Sequence, residues 1–394
     1  MNKGNPISAN TDLDRRAVVK AVAGVSALAL APSGSASAAV LANDNEIVAL
    51  TARAAADYIK RGELSAERYA RALLGQYKAH TNLNTVTYID EAKLLEEARE
   101  VDRARARGAQ LASLAGLPII IKDNINTVGF PTTAGTAFLK GYRPKENAPL
   151  PNMLFKAGAI LFAKSNMHEL ALGGTSANPI FGYVKNPYDL SRIPGGSSGG
   201  TAAAVAARIV PIGLGSDTTG SVRMPAHFCG IAGLRPSNPK TNKPYPTDGI
   251  VPLELTFDVA GPMARNVADV AFVHAAVTRG PELTALDLRG TRIGVPRAYF
   301  WDTLDPDVAT IMETTLDKLR GAGAIVVDVD FDALTKAALA VRLALRREDF
   351  RTDLADFLAR EYPVMTMKDA IASIASKRVR FLEEDARDNP PRRE

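Results

Sequence analysis

Two short stretches of this chain are dominated by glycine, serine and threonine. They are Gly195-Gly196-Ser197-Ser198-Gly199-Gly200 and Gly215-Ser216-Asp217-Thr218-Thr219-Gly220-Ser221-Val222-Arg223. Glycine lets a backbone approach a substrate and adopt conformations closed to other residues. Backbone N–H groups of such a loop can hold a developing oxyanion. Ser221, at the end of the second stretch, is then a candidate nucleophile, and the competing reading is a Gly/Ser-rich surface turn. A serine hydroxyl needs a base to act. The chain has only four histidines, His80, His168, His227 and His274. Lysine is the alternative, provided that burial or neighbouring positive charge lowers its pKa enough to keep it neutral. Lys122 follows the apolar run Ile119-Ile120-Ile121 and so emerges from a sheet toward a desolvated site. Taken alone, a lysine after a strand is more often a solvated surface charge.

Rival motifs are weaker. Gly195-Gly196-Ser197-Ser198-Gly199 fits a nucleophile elbow, but that motif needs a strand before it, and Tyr188–Pro194 is polar and contains proline. Ser237-Asn238-Pro239-Lys240 fits a Ser-x-x-Lys pattern, although Pro239 disfavours the required helix. His168-Glu169 lacks a second histidine at metal-ligand spacing, so His168 reads as structural or pocket-lining. No cofactor is implied.

The positioning elements can be read from the surrounding text. Two helical segments are expected between Ile47 and Tyr77, separated by Arg61-Gly62-Glu63-Leu64, with Ser65 as N-cap of the second. A third helix is expected over Ala92–Arg107. Short apolar strands are expected at 117–121, 159–163, 209–214, 292–295 and 324–329, with an Ala/Val-rich helix at about 200–207. A last helix is expected to run to about Glu384, followed by a polar tail from Ala386. Strands alternating with helices indicate an α/β class.

Lys122, Ser197 and Ser221, 75 and then 24 positions apart, resemble the Ser–cis-Ser–Lys triad of the amidase signature family. Further matching text includes Gly116-Leu117-Pro118, Lys122-Asp123-Asn124, Thr132-Thr133-Ala134-Gly135, Lys164-Ser165-Asn166-Met167, Phe228-Cys229-Gly230 and Gly233-Leu234-Arg235-Pro236. The resemblance runs from about residue 47 to about 385. It implies a mixed central β-sheet flanked by helices. It also implies Ser221 as nucleophile, Ser197 at a cis peptide as proton relay, and Lys122 as base. The backbone N–H groups of Thr218, Thr219, Gly220 and Ser221 would form the oxyanion hole. Asp217 and Arg223 would brace the loop, with Ser198 a secondary hydrogen-bonding residue.

Within the family, Met167-His168-Glu169-Leu170-Ala171-Leu172-Gly173 and Asn186-Pro187-Tyr188-Asp189 look most like indoleacetamide and mandelamide hydrolases. That implies hydrolysis of an arylacetamide-type primary amide to acid and ammonia through an acyl-Ser221 intermediate. Two departures stand out. Thr219 occupies a position where the family usually has glycine, and the chain stops before the family does. The expectation is therefore an amidase domain over 39–394, C-terminally truncated, with a sheet lacking its C-terminal strands. The alternatives are a truncated inactive remnant and the glutaminase-type component of a tRNA-dependent amidotransferase.

Composition narrows the partners. With 46% hydrophobic and 23% charged residues, the 394-residue chain reads as globular. Its net charge of +5 and short basic clusters make no stripe for nucleic acid. The expected partner is a small-molecule amide, with a homodimer possible and no stable membrane insertion. Arg15-Arg16, an uncharged run Ala21–Ala31 and Ala36-Ser37-Ala38 make residues 1–38 resemble a twin-arginine-type signal peptide, with Asp14 where Ser or Thr is usual. Periplasmic or secreted localisation follows as an expectation. The single cysteine, Cys229, rules out an internal disulfide and reads as a small buried side chain.

Overall fold

The computed structural model describes residues 43–237 and 244–377, apart from the side chains of 342–348. The expected leader at 1–38, most of Ser237–Lys240 and the tail from Ala386 lie outside the described residues.

Ten strands are present among the described residues. They are β1 (Val86–Ile89), β2 (Pro118–Lys122), β3 (Ile160–Ser165), β4 (Ala177–Asn178), β5 (Gly182–Tyr183), β6 (Ile212–Asp217), β7 (Ala232–Gly233), β8 (Val259–Ala264), β9 (Arg292–Val295) and β10 (Ile325–Asp328). Six of them form a central sheet in the order β1-β3-β2-β6-β8-β7. β3, β2 and β6 run parallel, and β1 and β8 join this core antiparallel on either side. The sheet is therefore mixed, and helices flank it, as expected. β4 pairs with β5, and β9 with β10, as two small separate sheets.

The central strands form where a strand covered on both faces should. Ile119, Ile120 and Ile121 are β-branched and fully buried, and all six residues of β3 and of β6 are buried too. Helices Ala52–Arg61, Ala66–Ala79 and Glu91–Ala106 supply the apolar faces of Ile59, Tyr69, Leu73 and Leu94 to the same core. Ser65 caps its helix as expected, accepting the Arg68 N–H at 3.1 Å. Gly62, at φ +77°, ends the preceding helix in the left-handed region.

Helix Gly199–Ala206 lies close against the sheet because its first turn is nearly free of side chains. A Cβ at Gly200 would collide with the Asn166 carbonyl oxygen. A second apolar cluster joins Met167, Leu170 and Leu172 to Phe350, Leu354, Phe357 and Leu358 of helix Asp332–Glu361.

Two expectations need correction. β6 starts at Ile212 rather than 209, because Arg208 turns the chain at φ 60° before Pro211. β8 has no counterpart among the expected strands, since Gly261-Pro262 interrupts any strand pattern. Pro262 lacks an N–H, but its carbonyl still accepts from Leu234 N at 3.0 Å. Helix Met367–Ala372 ends before Ser373, where the chain turns so that Ala375 and Ser376 donate to the buried Glu169 carboxylate; the expected helix end near Glu384 lies outside the described residues.

Candidate active site

Lys122 is the last residue of β2, Ser165 of β3 and Asp217 of β6. The three strands are parallel, so these residues meet at one carboxyl edge of the sheet, where α/β proteins characteristically bind ligands.

Lys122 is fully buried. Its Nζ lies 2.6 Å from Ser197 Oγ, 2.8 Å from Ser216 Oγ and 3.3 Å from the Ser216 carbonyl oxygen. Burial pushes its pKa down to about 7, against the upward pull of Asp217 and Asp258. No neighbouring cation assists, since the charges acting on it are carboxylates, and desolvation alone produces the shift.

Ser197 follows a cis Gly196–Ser197 bond. Its carbonyl accepts from His168 N at 3.1 Å. Ser176 Oγ donates to the Gly195 carbonyl at 2.8 Å and accepts the Gly199 N–H at 3.0 Å, closing the loop around Ser197. Ser198 Oγ donates to the Ser216 carbonyl at 3.1 Å, and Ser198 N donates to the Ser221 carbonyl at 3.2 Å. These two bonds tie the two Gly/Ser stretches together, which brings Lys122, Ser197 and Ser221 into one site.

Ser221 is 9% exposed and precedes helix Arg223–Phe228. The loop before it is organised by Asp217, whose Oδ1 accepts the Gly220 N–H at 2.7 Å and whose Oδ2 accepts Val222 N at 3.2 Å. Arg223 grips the same carboxylate through Nε at 3.0 Å and Nη2 at 3.1 Å, and Arg235 Nη1 lies 3.3 Å from Oδ1. Burial would raise the Asp217 carboxyl, but the bonds from Arg223 and Gly220 outweigh it and hold it below the usual range. Asp217 and Arg223 thus stand where a loop brace should stand. The Gly220 N–H, expected as an oxyanion donor, is instead committed to Asp217. Thr219 is exposed and keeps a φ outside the left-handed region, whereas Gly220 sits at φ +124°. The threonine therefore enters the loop without left-handed strain, and glycine is needed at the next position.

Thr218 donates through Oγ1 to Asp258, which also accepts Leu253 N at 2.8 Å and Glu254 N at 3.1 Å. Burial pushes the Asp258 pKa up to about 6. A second buried lysine, Lys164, lies near the site on β3. Its Nζ donates to the Ile125 carbonyl at 2.5 Å and to Thr132 Oγ1 at 3.0 Å, and it stands 3.8 Å from Asp123. Burial lowers Lys164 to about 8 and raises Asp123 to about 6.

His168 is buried beside Gly173, 3.3 Å from Thr175 Oγ1, in keeping with a structural role. Cys229 is the small buried side chain expected, and burial pushes its pKa up to about 12. Among the described residues no group of three His, Cys, Asp or Glu side chains could hold a metal, and no helix is long and apolar enough to cross a membrane.

Four further residues at the site, Ser216, Asn124, Ser176 and Asp258, carry no role legible in the sequence. Asn124 and Ser216 stand inside the motifs around Lys122 and Ser221, yet their types carry no catalytic signal. Ser176 and Asp258 lie in unmarked loops and reach the site only through the fold.

A mixed α/β sheet carrying a buried lysine against a serine hydroxyl at its carboxyl edge defines the class. Residues 68–389 match the family model of the amidases, and the chain belongs to this family. It is 39% identical over 328 residues to the A-type subunit of the glutamyl-tRNA(Gln) amidotransferase of Chloroflexus aggregans, covering 79% of this chain and 66% of that one. It is 38% identical over 319 residues to the indoleacetamide hydrolase of Agrobacterium vitis, covering 81% and 67%. The chain thus spans about two thirds of the length of these relatives. Among solved structures, the native peptide amidase of Stenotrophomonas maltophilia superposes with a TM-score of 0.71 at 29% identity, covering 86% of this chain and 79% of that one.

Proposed function

We propose that this protein hydrolyses a carboxylic amide through an acyl-Ser221 intermediate. The observation that carries the reading is the 2.6 Å contact between the fully buried Lys122 Nζ and Ser197 Oγ. Neutral Lys122 takes the Ser197 proton while Ser197 takes that of Ser221. Ser221 Oγ attacks the amide carbonyl, and backbone N–H groups of the 218–221 loop, Thr219 and Ser221 foremost, hold the oxyanion. The C–N bond breaks as the proton returns through Ser197 to the leaving nitrogen. Water then attacks the ester through the same relay in reverse and releases the acid.

The substrate class we favour is an arylacetamide-type primary amide. The likeness to an indoleacetamide hydrolase supports it, together with the match of Met167–Gly173 to that group. A glutaminase role within an amidotransferase is the second reading, favoured by a similarity of equal strength. Residues 1–38 support export by a twin-arginine-type route and hence the first reading, since tRNA-dependent amidation is cytoplasmic work.

Ammonia release from indoleacetamide, mandelamide, glutamine and an aliphatic amide should be compared between the full chain and Ser221→Ala. Release that disappears in the variant is expected, fastest with an aryl amide. Equal release from Ser221→Ala, or none from folded wild type with any amide, would overturn the proposal. A preference for glutamine would select the second reading. Expression with Arg15-Arg16 replaced by Lys-Lys should trap the protein in the cytoplasm if the leader acts as proposed.

A further inference from the structure

We propose that Ser216, held by Asn124, is a positioning residue that aims the lone pair of neutral Lys122 at Ser197. The inference rests on the amidase reading above and deepens it.

A neutral amine has two N–H groups and one lone pair. Three oxygens surround Lys122 Nζ, namely Ser197 Oγ at 2.6 Å, Ser216 Oγ at 2.8 Å and the Ser216 carbonyl at 3.3 Å. A carbonyl oxygen can only accept, so it takes one N–H. Asn124 Nδ2, which can only donate, lies 3.0 Å from Ser216 Oγ and orients that oxygen as an acceptor, leaving its other lone pair for the second N–H. The amine lone pair then faces Ser197, whose O–H it must receive. Ser198 Oγ donates to the same Ser216 carbonyl at 3.1 Å and fixes it from the far side. After proton transfer the same three oxygens accept the three N–H groups of the ammonium, so neither state requires rearrangement. One residue, through its backbone and its side chain, thereby serves both halves of the proton relay.

The charged groups facing Lys122 are Asp217, held by Arg223 and Arg235, and Asp258. The Asp123–Lys164 pair follows directly along the chain and on the neighbouring strand. None of them is altered by changing Ser216.

The test measures kcat, KM and their pH profiles for Ser216→Ala, Ser216→Thr and Asn124→Ala in the full chain. Ser216→Ala should lower kcat by roughly a hundredfold, the scale of a small misplacement of a reacting group, with KM little changed. It should also move the acid limb to lower pH, because the ammonium loses an acceptor. Ser216→Thr should restore both, and Asn124→Ala should move the limb in the same direction by less. If Ser216→Ala does not fold, the other two variants carry the comparison. Titration of the Lys122 amine by NMR in a Ser221→Ala background reads the same shift without turnover. It therefore separates failure of this proposal from failure of the amidase reading. An unmoved limb and titration midpoint in Ser216→Ala, or a folded Ser216→Thr that behaves like Ser216→Ala, would overturn it.

Discussion

The Asp217 carboxylate accepts the Gly220 N–H at 2.7 Å, immediately before Ser221 in the chain. This bond folds the second Gly/Ser stretch back on the end of β6. It also gives Arg223 and Arg235 a buried counter-charge.

Asp217→Ala should therefore damage the presentation of Ser221 and the fold together. Removing one partner of a buried charge pair costs about 3–5 kcal/mol, somewhat less here because Arg223 is half exposed. Urea unfolding should show the loss. The kcat of the folded fraction should fall about a hundredfold, as misplacement of a nucleophile predicts. Activity that survives at the wild-type level would show that the loop keeps its shape without this carboxylate.

The pH dependence follows from burial of Lys122. The base must be neutral, and its folded pKa is about 7, so kcat/KM should rise with pH through an acid limb near that value. The folded value lies below the ordinary 10.5. Between the two the unfolded state binds more protons, so this group's contribution to stability rises with pH across that window. Asp258 pulls the Lys122 pKa upward, so Asp258→Asn should move the acid limb to lower pH. A limb that moves to higher pH in that variant would contradict this electrostatic account.

Lys164 tests the fold rather than the chemistry. Lys164→Met leaves Asp123 buried without its cation and should cost about 3–5 kcal/mol. Adding Asp123→Asn should recover much of the loss, because the uncompensated charge is gone. Denaturant midpoints of the two single variants and the double variant give the coupling directly.

Gly200→Ala drives a methyl group into the Asn166 backbone oxygen. Helix Gly199–Ala206 must then lift from the sheet, at a cost of about 1–3 kcal/mol or more. Ser198, at the head of that helix, would lose its bonds to Ser216 and Ser221. Thermal unfolding and kcat should fall together. By contrast, Gly108→Ala, which meets no atom within 4 Å, should affect stability only through its positive φ.

The candidate site was legible to the degree that its parts are local. Two Gly/Ser stretches mark themselves by composition, and Lys122 is marked by the apolar run before it. The strands at 118–122 and 160–165 were legible because buried parallel strands are continuous apolar runs, and those at 292–295 and 325–328, largely exposed, through their short β-branched segments. β8 was not, because Gly261-Pro262 breaks the pattern that pairing with β6 and β7 overrides. Nor could the oxyanion donors be read locally. The withdrawal of the Gly220 N–H into Asp217 depends on where a side chain three residues earlier turns.

By itself the sequence determined the reactive residue types, their order along the chain, and an α/β framework in which a lysine follows a buried strand. Only the tertiary structure decided that Lys122 lies in full burial, within hydrogen-bond reach of Ser197 and Ser216. It likewise decided that Asp217 and Asp258 are the charges facing it. The reason is physical: hydrophobic periodicity is a local property that a short window reveals. A pKa depends on desolvation and on charges contributed by residues tens of positions away, and only folding brings those together.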